Sequence, residues 1–206
     1  TVDAASDGLV ARPFVGAVLT GGASRRMGRD KALLEVDGRA LAATAAQALT
    51  DAGASEVVAV GGDADGLSAV GLTVVADRFP GEGPLGGIVT ALGHFASLDV
   101  PVVVLACDLP AASAANVAST VSAVQEEAGP LVAVPLVEGR RQWMHACWTP
   151  RAGALIAAAF EAGERAAWRA AESSTGAGLR ITEVAGPSSD GFRDVDQPGD
   201  LETGDR

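Results

Sequence analysis

Lysine is almost missing from this sequence: Lys31 stands alone among fifteen basic residues, and the rest are arginines. No apolar run is long enough to cross a bilayer, which excludes a helical membrane span. Cys107 and Cys147 sit in no CxxC or histidine-rich spacing, which argues against a zinc site or a disulfide framework; they read as reduced thiols of a cytoplasmic protein. The opening TVDAASDGLVARP has no basic segment followed by an apolar one, so it does not read as a secretory signal. Residues 1–12 are expected to be an irregular lead-in to a single domain covering 13–206. Aromatic residues make up only 4% of the chain, and alanine, valine, leucine and glycine dominate. Small side chains of this kind suit helices packed closely on a sheet. A formal net charge of −11 removes the basic face that general nucleic-acid binding requires.

At 206 residues the chain can bury one full core. Phe14–Thr20, Glu56–Val60, Leu72–Ala76, Val102–Ala106 and Leu131–Pro135 are short apolar runs bounded by glycine or proline, the pattern of strands buried on both faces. Helical spacing predicts helices over Arg39–Asp51, Leu85–Leu98, Ser113–Ala128, Pro150–Phe160 and Glu164–Glu172. Gln142–Trp148 and Leu179–Val184 read as further strands, and residues 192–203 as a short strand, a turn and a last helix. Alternation of this kind predicts a three-layer α/β/α domain with a mostly parallel, Rossmann-like sheet.

The cations concentrate in one place. Residues 21–31 hold Arg25, Arg26, Arg29 and Lys31 against Asp30 alone, a balance of +3, while the remainder of the chain stands at −14. A phosphate ligand is repelled nearly everywhere except at this loop. The loop follows the first predicted strand, where open α/β sheets bind ligands. It is not a P-loop: five residues separate Gly22 from Gly28, and Ala32 follows Lys31. Nor is it G-x-G-x-x-G, because Gly21 and Gly22 are adjacent. Lacking a β-carbon, Gly21 and Gly22 can turn backbone N–H groups toward an anion. Arg25 and Arg26 offer planar forks to phosphate oxygens, and Lys31 offers a compact charge. A plain basic surface loop is the alternative.

Asp108 follows the most apolar run, VVVLAC, and is expected at the carboxyl end of that strand. A carboxylate there suits Mg2+, which binds through one or two protein oxygens plus substrate phosphates. It could instead cap the helix that follows. Asp194 and Asp196 compete for a second metal position, with Asp196 preferred for its nearness to the turn at Pro198. His94 reads as structural or surface, and His145 as part of a packed strand that could also line an acceptor site. Arg140 and Arg141 read as a hairpin tip, or as contacts to an acceptor phosphate.

The stretch LTGGASRRMGRDKALLEVDGRAL, followed in order by GPLGGI, CDLP and DVDQPGDL, resembles the molybdenum cofactor guanylyltransferases. The resemblance implies a Mg2+-dependent nucleotidyltransferase moving GMP from GTP to the phosphate of molybdopterin and releasing pyrophosphate. It implies that Leu19, Thr20 and Gly21 meet the nucleotide, that Lys31 binds phosphate, that Asp77 lies at the guanine-nucleotide site, and that Asp108 holds magnesium. Other cofactor-assembly proteins are implied as partners. Thr20 stands where the family commonly has alanine, and no asparagine occurs in Val60–Asp63. Two alternatives keep the phosphate loop: a cytidylyltransferase or sugar-phosphate nucleotidyltransferase, and a non-catalytic nucleotide-binding partner in cofactor assembly.

Overall fold

The computed structural model describes residues 13–21, 30–125, 129–185 and 192. Its first strand, β1 (Val15–Leu19), is buried along its whole length. The reason lies in the alternation of its side chains. Val15, Ala17 and Leu19 face one apolar core, and Phe14 and Val18 face a second on the opposite side of the sheet. A continuous apolar run is what a strand covered by helices on both faces needs.

After β1 comes a hairpin of β2 (Glu35–Val36) and β3 (Arg39–Ala40), then α1 (Leu41–Asp51). The helix expected from Arg39 therefore begins two residues later, because Arg39 and Ala40 pair with Val36 and Glu35. Next come β4 (Val57–Val60), α2 (Ala64–Ala69), β5 (Thr73–Val75), α3 (Pro84–His94) and β6 (Val102–Ala106). The chain continues through α4 (Ala114–Gln125), β7 (Leu131–Val137), β8 (Arg140–Arg141) and β9 (His145–Trp148). It closes with α5 (Pro150–Glu161), α6 (Ala167–Ser174) and β10 (Arg180–Ala185). The helix expected from Leu85 to Leu98 stops at His94, followed by a 3-10 turn over Ala96–Leu98 that ends at the left-handed Asp99 (φ 52°). The short helix α2 and the small strands β2 and β8 add to what the periodicity indicates.

The main sheet runs β10-β7-β9-β6-β1-β4-β5, with β8 paired to β7. The pairs β1–β4, β1–β6, β4–β5 and β7–β10 are parallel. Strand β9 is antiparallel to both β6 and β7. Helices α1 and α4 supply the core on one side (Ala42, Leu49, Val117, Val121), and α3, α5 and α6 on the other (Ile88, Ile156, Ala170). Chain direction from β1 leads to β4 on one side, while β6 returns on the other. The crevice between the carboxyl ends of β1 and β6, where Leu19 stands beside Ala106, is therefore the switch point of the sheet.

His145 heads β9 and is 2% exposed, against a Phe192 ring 4.6 Å away. Neither ring nitrogen has a hydrogen-bond partner among the described residues. Burial pulls its pKa down from 6.5 to about 4, so the native fold holds it neutral. Since the folded value is below the unfolded one, stability is complete above pH 6.5 and drains away as pH falls toward 4. The loss attributable to this group is about 3 kcal/mol. His145→Leu is expected to flatten the pH dependence of urea unfolding between pH 7 and 4; an identical slope in the variant would contradict this account.

Candidate active site

A cavity of about 520 Å3 opens at the carboxyl edge of the sheet, a size suited to a small-molecule ligand. Strand ends form its floor: Leu19, Thr20 and Gly21 after β1, Val60 from β4, and Ala106, Cys107 and Asp108 after β6. Asp30 and Lys31 close one side. Gly81, Gly83, Pro84 and Gly87, from the loop before α3 and its first turn, close another, and Met144 completes the wall.

Lys31 and Asp108, 77 residues apart in sequence, meet here. Lys31 Nζ donates to Asp108 Oδ2 at 2.9 Å, with the two side chains 15% and 24% exposed. Each arrives by a separate local device. Asp30 caps the 3-10 turn Lys31–Leu33, its Oδ1 accepting from the Ala32 N–H at 3.0 Å. Its Oδ2 accepts from the Asp63 N–H, also at 3.0 Å, tying this turn to the end of β4. Asp108 stands two residues beyond the last residue of β6.

Thr20 and Gly21 follow β1 at the floor of the cavity, each held to the end of β4. The Thr20 hydroxyl turns inward, within 3.0 Å of the Val60 carbonyl and 2.8 Å of the Gly61 carbonyl. The Gly21 N–H donates to Val60 O at 3.0 Å, so that amide is committed to β4 and not directed at an anion. The glycine that the close approach requires is Gly61: at φ 75°, its β-carbon would come within 3.1 Å of the Gly21 α-carbon, whereas one on Gly21 would meet its neighbours at 3.6 Å, an ordinary contact. Asp77 Oδ1 accepts from the Phe79 N–H at 3.0 Å and lies 3.0 Å from the Thr90 hydroxyl. Its Oδ2 faces Gly21, 3.6 Å from the point where a β-carbon there would sit.

Gly22, Arg25, Arg26, Asp194 and Asp196, together with the lead-in 1–12, lie outside the described residues. Sequence reading quoted Gly83, Pro84 and Gly87 within GPLGGI without giving them a role, and it did not single out Gly81 or Met144. The Gly83-Pro84 start of α3 was the available signal, since proline favours the first helical position. His94 is exposed, 4.0 Å from Glu56, at a distance from this chemistry. Cys107 lines the cavity, but burial first, then the charges of Asp108 and Asp30, push its thiol up to about 12. It is neutral at physiological pH and poorly suited to act as a nucleophile.

The donor set can be tested against a metal. Among the described residues no group of three His, Cys, Asp or Glu side chains is placed to hold an ion. Both carboxylate oxygens of Asp30 are engaged with backbone N–H groups, which leaves Asp108, beside Lys31, and the Oδ2 of Asp77 as the cavity's remaining carboxylate ligands. One or two carboxylates fit Mg2+ delivered with substrate phosphates and do not fit a dedicated protein cage.

A mostly parallel α/β/α sheet with this crevice at its switch point is the architecture of the small nucleotidyltransferases. The model resembles the crystal structure of molybdopterin-guanine dinucleotide biosynthesis protein A from Archaeoglobus fulgidus, with a TM-score of 0.69, 23% identity, and 91% of this chain and 94% of that one covered. It also resembles a nucleotidyl transferase from Methanothermobacter thermautotrophicus, with a TM-score of 0.71, 18% identity and coverage of 93% and 95%. Residues 16–177 match the MobA-like NTP transferase domain, and the chain belongs to that family. A probable molybdenum cofactor guanylyltransferase from Opitutus terrae is 44% identical over 106 residues, 51% of this chain and 52% of the relative. The molybdenum cofactor guanylyltransferase of Xanthomonas euvesicatoria is 40% identical over 104 residues, with coverage of 50% and 51%. These matches span about half the length of each relative. No described helix is long and apolar enough to cross a membrane.

Proposed function

We propose that this chain is a nucleotidyltransferase of molybdenum cofactor maturation, transferring GMP from GTP to the terminal phosphate of molybdopterin with release of pyrophosphate. The observation that carries the reading is the meeting of Lys31 and Asp108 at 2.9 Å in the switch-point cavity, beside the strand ends that begin the phosphate loop. The guanylyltransferases matched over half their length support the choice of base and acceptor.

In this reading an acceptor phosphate oxygen forms a bond to the α-phosphorus while the bond to the bridging oxygen of pyrophosphate breaks. A phosphate monoester is largely ionised near neutral pH, so no general base is required. Among the described residues, the cavity lining offers aspartates and a neutral thiol and no histidine. Lys31 offsets charge on the departing phosphates, and Asp108 holds Mg2+. When bound, the ion supplies Lewis-acid stabilisation of the phosphoryl oxygens. Asp77, fixed by Phe79 and Thr90, orients the nucleoside end.

Thermal shift with Mg2+ and each of GTP, CTP, ATP and UTP tests the nucleotide. A ligand at a hundred times its Kd adds about 2.7 kcal/mol, which raises Tm by about 5–10 °C for a domain of this size. GTP is expected to give that shift and the others much less. A larger shift with CTP would reassign the base, and no shift with any nucleotide would overturn the reading.

A further inference from the structure

The loop joining β5 to α3, residues 76–83, contributes Asp77, Gly81 and Gly83 to the wall of the cavity. Its first part is anchored from inside. Asp77 accepts the Phe79 N–H, and the Phe79 ring lies 4.6 Å from the ring of Phe160 on α5. Its second part lacks such packing. Gly81 and Gly83 have positive φ, 84° and 80°, and a β-carbon on Gly81 would meet nothing within 4 Å. Two glycines around one residue leave the backbone many alternative arrangements.

The residue between them is Glu82. Its carboxylate is met from outside the loop by Arg165, which stands in the connection between α5 and α6: Arg165 Nε donates to Glu82 Oε2. Arg165 is itself held at several points. Its Nη1 donates to the Phe160 carbonyl at 2.9 Å and to the Glu164 carbonyl at 2.8 Å. Its guanidinium lies over the Phe160 ring, 4.2 Å from the centroid. Its backbone N–H donates to Glu164 Oε1 at 2.8 Å, and the same oxygen accepts from the Ala166 N–H at 3.0 Å. The fork therefore has one edge on the end of α5 and the other on the glycine loop.

The pair between Arg165 and Glu82 is open to water, with side chains 44% and 48% exposed, and exposed pairs add little to global stability. Its effect on a ligand is of another kind. A site whose wall is competent only part of the time binds more weakly by that fraction.

We propose that Arg165 is a positioning residue for nucleotide binding: by gripping Glu82 it holds the Gly81–Gly83 wall of the cavity in one arrangement. The proposal rests on reading the cavity as a nucleotide site. Neither side chain has to touch the nucleotide, because the wall between them and the cavity is backbone.

The test uses the full chain and GTP with Mg2+, titrated by calorimetry onto wild type, Arg165→Ala, Glu82→Ala, the double variant and Glu82→Gln. The Tm of each is read without ligand. If the released wall is competent about a fifth of the time, the apparent Kd rises about fivefold. That loss is expected in each alanine variant, and no further loss in the double variant, since both changes delete one contact. Glu82→Gln keeps an oxygen for Arg165 and is expected to bind GTP as wild type does. Glu82 lies on the exposed loop, so Glu82→Ala carries the test even if removing Arg165 from the Phe160 ring harms folding. Its Tm is expected to stay near wild type. A Glu82→Ala variant that loses Tm but keeps its affinity, or losses that add in the double variant, overturns the clamp and leaves the nucleotidyl-transfer reading standing. Unchanged affinity in both alanine variants does the same. No GTP binding to wild type overturns both.

Discussion

Lys31→Ala is expected to slow nucleotidyl transfer by about two to three orders of magnitude, the cost of losing a preorganised charge-stabilising donor. The chain has no second lysine to substitute for it. The change should leave the fold intact. The ion pair with Asp108 is partly solvent-exposed, and such pairs contribute little to stability, about 0–1 kcal/mol. A Tm close to wild type with transfer reduced that far would locate the loss in the chemistry. Near-normal turnover would remove Lys31 from the mechanism. Arginine is not expected to restore full activity, because its planar fork presents charge differently from a compact ammonium.

Asp108→Asn should produce the second large effect, with a twist that comes from the same contact. It removes the carboxylate proposed to hold the metal and also the carboxylate that Lys31 holds at 2.9 Å. Metal assistance at a phosphoryl centre is worth several kcal/mol, so magnesium-stimulated turnover is expected to fall about a thousandfold. Metal-free GTP, by contrast, should bind the variant at least as well as it binds wild type, since Lys31 no longer has to leave a carboxylate to reach a phosphate. Calorimetry of GTP with Mg2+ and with EDTA separates these outcomes. A variant in which Mg2+ still strengthens GTP binding as in wild type would place the metal elsewhere.

Much of this site could be read in the sequence because it uses strong local signals. An apolar strand followed by paired glycines and an isolated lysine, and a second apolar strand followed by an aspartate, both put chemistry at strand ends. The continuous apolar run Phe14–Thr20 likewise gave away a strand covered on both faces. Strand direction was not available in the same way. His145–Trp148 is a short, fully buried run that reads the same in either orientation, and only its pairing with β6 and β7 makes it antiparallel. The small hairpin β2–β3 did carry a signal, Asp37-Gly38, with both residues at positive φ (51° and 74°). Helix α2 buries a single side chain, Leu67, and contains Gly66, so helical periodicity has almost nothing to register. Met144 and the glycines before α3 become cavity walls only through long-range folding.

The reversed strand β9 has a consequence for how such an enzyme can change its partners. Elsewhere along the crevice, a residue arrives at the end of a strand whose continuation must cross a whole layer before returning. Altering those loops risks the path of the chain. Over β9 the crevice is reached by a tight reversal whose two ends are already side by side, so residues 136–144 can vary in side chain and even in length without rerouting anything. The scaffold thereby separates a half whose loops are tied to crossovers from a half whose hairpin can change on its own.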